Sequence, residues 1–175
     1  MKKRYIMTAF GKDRPGIVAD VTKILYDTGC NLEENSMSML GDEFTLNLLF
    51  STTQEQVEKQ LNDLCQQLET EKKITAFIRP LKARHGTSAR GVHNCVLHVE
   101  GLDQAGIVYK ISQFLADNKL NIADLQSTIE LSPESGTALY IMDIHIQIPY
   151  GTDMEQIEAG LSDVSDGLNV EISLD

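Results

Sequence analysis

Two stretches of this chain carry the same polar residues at the same spacing. Gly11, Asp13 and Gly16 precede an apolar run, and Asn31 follows it; Gly101, Asp103, Gly106 and Asn121 repeat the set ninety residues later. Residues of these types can hold polar groups of many kinds. A helix start offers unpaired N–H groups to a carboxylate. Glycine lets a ligand approach the backbone closely. An aspartate accepts from an ammonium group, and an asparagine both donates and accepts. Each residue also has a purely structural reading. Asp13 and Asp103 are suited to capping a helix, Gly16 and Gly106 to close helix–sheet packing, and Asn31 and Asn121 to ordinary turns.

No catalytic set accompanies these residues. The sequence has no Gly-x-Ser-x-Gly, no phosphate loop and no Gly-x-Gly-x-x-Gly. His98 and His145, with Asp143, fall on the polar face of neighbouring strands and raise the question of a metal, but their spacing is no ligand signature. Cys30, Cys65 and Cys95 include no Cys-x-x-Cys pair and read as small buried side chains. The expectation is a protein that is not an enzyme and uses no metal or cofactor.

The 175 residues suit two small domains. No apolar run approaches the roughly 20 residues that span a bilayer, and the start lacks a signal-peptide core, so the chain reads as cytoplasmic with no membrane contact. Net charge is −11, unevenly divided: residues 1–82 hold 11 basic and 12 acidic side chains, residues 83–175 hold 4 and 14. Such a surface repels phosphate backbones, which argues against direct nucleic-acid binding. It also serves solubility.

Periodicity supplies the elements that must position these groups. In the first half, Arg4–Phe10 is a strand, and Ile17, Val18, Val21, Ile24 and Leu25 form one helical stripe closed by Gly29. Leu32–Met39 and the alternating Phe44, Leu46, Leu48 and Phe50 are strands joined at Gly41-Asp42. A helix over Val57–Leu68 and a strand over Ile74–Ile78 complete the unit. The second half repeats the order: Val92–Val99, a helix through Ile107–Leu115, Asn121–Leu131, a longer turn at 132–136, Leu139–Ile148, a helix over Met154–Val164 interrupted by Gly160, and Leu168–Leu174. The order βαββαβ, twice, predicts an α+β protein of two ferredoxin-like domains, each a four-stranded antiparallel sheet with two helices on one face. The domains are expected at 1–80 and 92–175, with 81–91 as linker.

Gly11-Lys12-Asp13-Arg14-Pro15-Gly16-Ile17-Val18, with its Gly29-to-Glu33 exit, resembles the ACT domain family. The second copy keeps Gly101, Asp103, Gly106 and Asn121 but has Gln104-Ala105 for Arg14-Pro15. The resemblance implies a module that binds small amino acids, glycine or similar, and regulates metabolic enzymes or their genes. It places the ligand where the loop after the first strand meets the start of the second strand, often across a dimer interface. That maps to Gly11, Asp13, Gly16 and Asn31, and to Gly101, Asp103, Gly106 and Asn121. The implied partners are a transcription factor or metabolic enzyme and a second copy of the chain. The alternative is a tandem-domain interaction module that binds no ligand.

Overall fold

The computed structural model describes residues 2–81, 91–132 and 136–175. The linker positions 82–90 and the turn positions 133–135 lie outside the described residues. The chain divides into two compact units, Met1–Gly86 and Thr87–Asp175.

The first unit runs β1 (Lys3–Lys12), α1 (Ile17–Asp27), β2 (Asn31–Leu40), β3 (Glu43–Thr52), α2 (Val57–Gln67) and β4 (Thr75–Leu81). The second runs β5 (Val92–Leu102), α3 (Ile107–Asp117), β6 (Asn121–Leu131), β7 (Ala138–Pro149), α4 (Met154–Leu168) and β8 (Val170–Leu174). Each has the expected βαββαβ order, and the sheets are antiparallel with strand orders β2-β3-β1-β4 and β6-β7-β5-β8.

Strand alternation puts one face of each sheet under the helices. In the first unit Tyr5, Met7 and Ala9 of β1 pair with Phe50, Leu48 and Leu46 of β3, and all six are buried against Val21, Leu25 and Leu61. In the second, Leu97 and Val99 pair with Ile144 and Met142 over Ile111, Leu115 and Leu161. Thus the apolar periods read from the sequence are the two cores.

Three local features differ from the sequence reading. First, α4 passes through Gly160 without interruption and ends at Leu168. A Cβ at Gly160 would come within 2.5 Å of the Phe114 ring, so glycine there gives α3 room beside α4. Second, α2 ends in one π turn, Leu68–Lys72, closed by Lys73 at φ 58°. Third, the helices α1 and α3 are capped by Gly16 and Gly106, at φ 87° and 99°, with no side-chain cap hydrogen bond. Asp13 and Asp103 are therefore not the caps. Nor does packing explain the two glycines, since a Cβ at either would meet nothing within 4 Å. Their requirement is the left-handed backbone.

Gly11 and Gly101 have the opposite requirement. A Cβ on Gly101 would lie 2.6 Å from Val170 Cγ1, and one on Gly11 3.0 Å from the Lys73 carbonyl. Gly101→Ala is expected to destabilise the second unit by about 1–3 kcal/mol through overpacking, and Gly106→Ala by roughly 1–2 kcal/mol through backbone strain. Denaturant unfolding of each variant checks both. A stability equal to wild type for Gly101→Ala would contradict the close strand approach.

Candidate functional site

The turn between β1 and α1 is built the same way in both units. The Asp13 N–H donates to the Asp42 carbonyl at 2.9 Å, and the Asp103 N–H to the Ala138 carbonyl at 3.2 Å. These bonds pin the turn to the tip of the neighbouring hairpin. The left-handed glycine then sends the chain into the helix, and the Asp20 and Lys110 N–H groups close on the Gly16 and Gly106 carbonyls, each at 2.9 Å. Among the described residues the N–H groups of Val18 and Ala19, and of Val108 and Tyr109, have no backbone acceptor. The Asp13 and Asp103 carboxylates enter no hydrogen bond or ion pair there either. Free donors and a free carboxylate thus stand at one turn.

In the first unit this turn borders a shallow depression of about 320 Å³, lined by Asp13, Arg14, Gly16, Val18, Ala19 and Met37 among others. Val18 and Met37 are exposed. Arg14 is drawn over the helix by an ion pair to Asp20, which Lys72 also approaches at 3.8 Å. The Arg14 guanidinium holds the Asp20 carboxyl below its usual range; burial opposes it, and Lys72 assists. The second unit has changed both members of this pair together. Gln104 stands for Arg14 and Lys110 for Asp20. The Gln104 amide donates instead to the Leu168 carbonyl at the end of α4. Tyr109 and Ser127 take the places of Ala19 and Met37.

The structure does not bring all the sequence-derived residues together within a unit. Gly11, Asp13 and Gly16 gather at the turn, as do Gly101, Asp103 and Gly106. Asn31 opens β2 opposite Ser51, which in turn faces Arg4. Asn121 opens β6 opposite Gln147, which faces Asn94. Each asparagine is therefore level with a residue seven positions before Gly11 or Gly101, roughly 23 Å from the turn at about 3.3 Å per residue. The cause is topological: a strand–helix–strand crossover returns the chain to the end where β1 began. Asn121 Nδ2 donates to Gln147 at 3.0 Å.

A second polar cluster, missed from the sequence, surrounds Asn31. A β-bulge between Leu32 and Glu34 swings Glu33 towards β1. Its carboxylate receives Lys2 Nζ at 2.9 Å and Arg4 Nε at 2.8 Å. The Ser51 hydroxyl is buried beside it, in a geometry short of a full hydrogen bond. The Lys2 ammonium, then the Ser51 hydroxyl and the Arg4 guanidinium, bring the Glu33 carboxyl down to about 2. The same bulge recurs in β6, where Ala123 replaces Glu33. The signal for it was only an acidic pair, Glu33-Glu34, at a strand start.

His98 Nδ1 lies 2.7 Å from Asp143 Oδ1, while His145 faces Val96, one step diagonal to that pair. Among the described residues no group of three His, Cys, Asp or Glu side chains is placed to hold a metal ion. Burial pushes the Cys65 thiol up to about 11, which keeps it protonated and unreactive. No described helix is long and apolar enough to cross a membrane.

Fold and turn together define the class: two ferredoxin-like βαββαβ domains. Residues 3–77 match the ACT domain family model, and the second unit repeats the same order, strand arrangement and glycine-capped turn. The chain is 26% identical to the glycine cleavage system transcriptional repressor of Escherichia coli (strain K12), over 97% of this chain and 87% of the repressor. The same identity and coverage hold for the repressor of Shigella flexneri. Among solved structures, an unknown protein from Galdieria sulphuraria superposes with TM-score 0.80 at 25% identity, covering 100% of this chain and 98% of that one. A protein assigned as a glycine cleavage system transcriptional repressor superposes with TM-score 0.72 at 22% identity, covering 100% and 97%.

The Glu33 cluster has a defined pH signature. A carboxyl held at about 2, against an ordinary 4.5, stabilises the fold while it is ionised and the unfolded state is too. That contribution is complete above about pH 5 and is lost as the pH falls towards 2. The stability difference between wild type and Glu33→Gln, followed by denaturant midpoints, is expected to shrink across this window. A difference that stays constant would contradict the cluster.

Proposed function

We propose that this protein is an amino-acid-responsive regulator that binds a small amino acid, glycine or similar, at the β1–α1 turn and controls a transcription factor or enzyme by protein contact. The observation that carries the reading is the duplicated turn: glycine in the left-handed conformation, free first-turn N–H groups and an unengaged aspartate, built twice in one chain. The ligand carboxylate meets the N–H groups of Val18 and Ala19, where the helix dipole favours an anion. The ammonium group meets Asp13, and Arg14 and Lys72, sharing Asp20 between them, leave a net positive charge nearby. Likeness to the glycine cleavage repressor over 97% of this chain supports the same assignment.

The first unit is the stronger site. The second lacks Arg14's charge, has its glutamine tied to Leu168 and carries Tyr109 where Ala19 lines the depression. Its open sheet face presents Glu100, Asp124, Glu130 and Asp143, with Lys110 and Lys119 away from the sheet. Such a face suits a basic protein partner and repels DNA, consistent with control by protein contact.

Asn31 and Asn121 reach a ligand at the turn only from a second copy, given their place at the far end of the sheet. Five non-hydrogen atoms at no more than about 1.5 kcal/mol each limit glycine to about 7.5 kcal/mol, or micromolar affinity at best. Calorimetric titration of the full chain with glycine, serine and alanine tests the proposal. Binding in the micromolar-to-millimolar range, lost at least tenfold in Asp13→Ala and retained in Asp103→Ala, is the expected result. No heat at millimolar ligand would leave only the ligand-free interaction module. Loss on Asn31→Ala in a chain that stays monomeric would move the site to the Glu33 end.

A further inference from the structure

The face of the first sheet turned away from its helices is not an ordinary polar surface. Phe10, Phe77 and Leu81 stand on it exposed, and Ile6 and Leu49 half-buried. Strand register arranges its side chains in rows across the sheet. One row reads Glu34, Leu49, Ile6, Arg79 from β2 through β3 and β1 to β4. It has an acid at one edge, a base at the other and two aliphatic residues between. Neither Glu34 nor Arg79 enters an ion pair or hydrogen bond among the described residues.

A row of this kind is complementary to itself. A two-fold axis parallel to the strands sets β2 of one sheet over β4 of the other and keeps the level of each row. Glu34 then faces Arg79, and Leu49 faces Ile6, twice over. The next row, Ser36, Asn47, Thr8 and Phe77, places the Phe77 ring over the small Ser36. There a hollow of about 270 Å³, lined by Ile6, Glu34, Ser36, Asn47, Leu49 and Leu81, lies open to receive it.

The second unit supplies the contrast. Its corresponding row reads Asp124, His145 and Val96, with Asp175 bonded to Val96 at the β8 edge. Acids at both ends would face acids under the same symmetry. Charge therefore selects the first unit's face for a like partner and rejects the second's.

We infer that the open sheet face of the first unit is the contact surface for a second copy of this chain, the two faces packing about a two-fold axis so that Glu34 of each copy meets Arg79 of the other. The occupant is a second copy because the pattern is self-complementary, as an isologous interface requires. Two sheets stacked about 10 Å apart would interdigitate in the aligned manner of β-sandwiches. Four strands at about 4.8 Å and seven residues at about 3.3 Å give a face of roughly 440 Å², or roughly 900 Å² for both copies. That is below the standard interface size, so the dimer is weak and concentration-dependent. This inference is independent of the ligand reading, because an axis that keeps each row level leaves Asn31 of either copy at the Arg4 end, away from both turns.

Sedimentation velocity of the full chain, from micromolar to several hundred micromolar, tests it with charge reversals. Wild type is expected to pass from monomer to dimer over that range. Glu34→Arg and Arg79→Glu each set like charges opposite one another, and each is expected to weaken association at least tenfold. An equimolar mixture of the two variants restores opposite charges at both contacts and is expected to dimerise like wild type, as is the double variant. Both residues are exposed, and unchanged melting temperatures confirm that the fold survives. A wild-type chain that stays monomeric throughout would overturn the inference. So would single variants that associate as wild type does, or a mixture that fails to recover.

Discussion

A glycine at positive φ governs each half of this protein. Gly16 and Gly106 hold φ values of 87° and 99°, where any other residue is strained. The left-handed residue reverses the chain from the end of the first strand into the first helix without a side chain in the capping position. The helix then lies across one sheet face, its apolar stripe reaches the core, and its first N–H groups stay open. Fold and candidate site thus share one backbone constraint. A capping aspartate would have stabilised the helix and occupied these donors; glycine leaves them open.

Around this shared backbone the two units have diverged in charge. The Arg14–Asp20 pair of the first becomes Gln104 and Lys110 in the second, a change at both positions that alters what a carboxylate would meet at the turn. The sheet faces diverge as well. The first carries an apolar surface with opposite charges at its edges, and the second a carboxylate-rich one with the His98–Asp143 pair at its centre. The cores stay equivalent while the surfaces separate, as expected where packing constrains the inside and partners shape the outside.

The fold was legible because its strands alternate cleanly. Phe44, Leu46, Leu48 and Phe50 could bury only one face, and the whole unit was written twice. What escaped depended on contacts between distant segments. Gly160 reads as a helix breaker until the Phe114 ring is seen against it. Asp13 reads as a cap because its residue type suits one, but the φ of Gly16 gives that position to the glycine. Asn31 follows the helix in sequence, yet the crossover carries it to the opposite end of the sheet from Gly11. The Glu33 cluster depends on the bulge at Leu32/Glu34, and no local pattern announces that extra residue.

The central claim is that the β1–α1 turn of the first unit receives an amino acid through its open backbone donors. Backbone amide resonances observed while glycine or serine is added test this directly. Gly16, Val18 and Ala19 are expected to shift together, saturating at one affinity, with smaller changes at Gly106, Val108 and Tyr109. Amide shifts confined to Asn31, Glu33 and Ser51, or absent from both turns at millimolar ligand, would contradict the account.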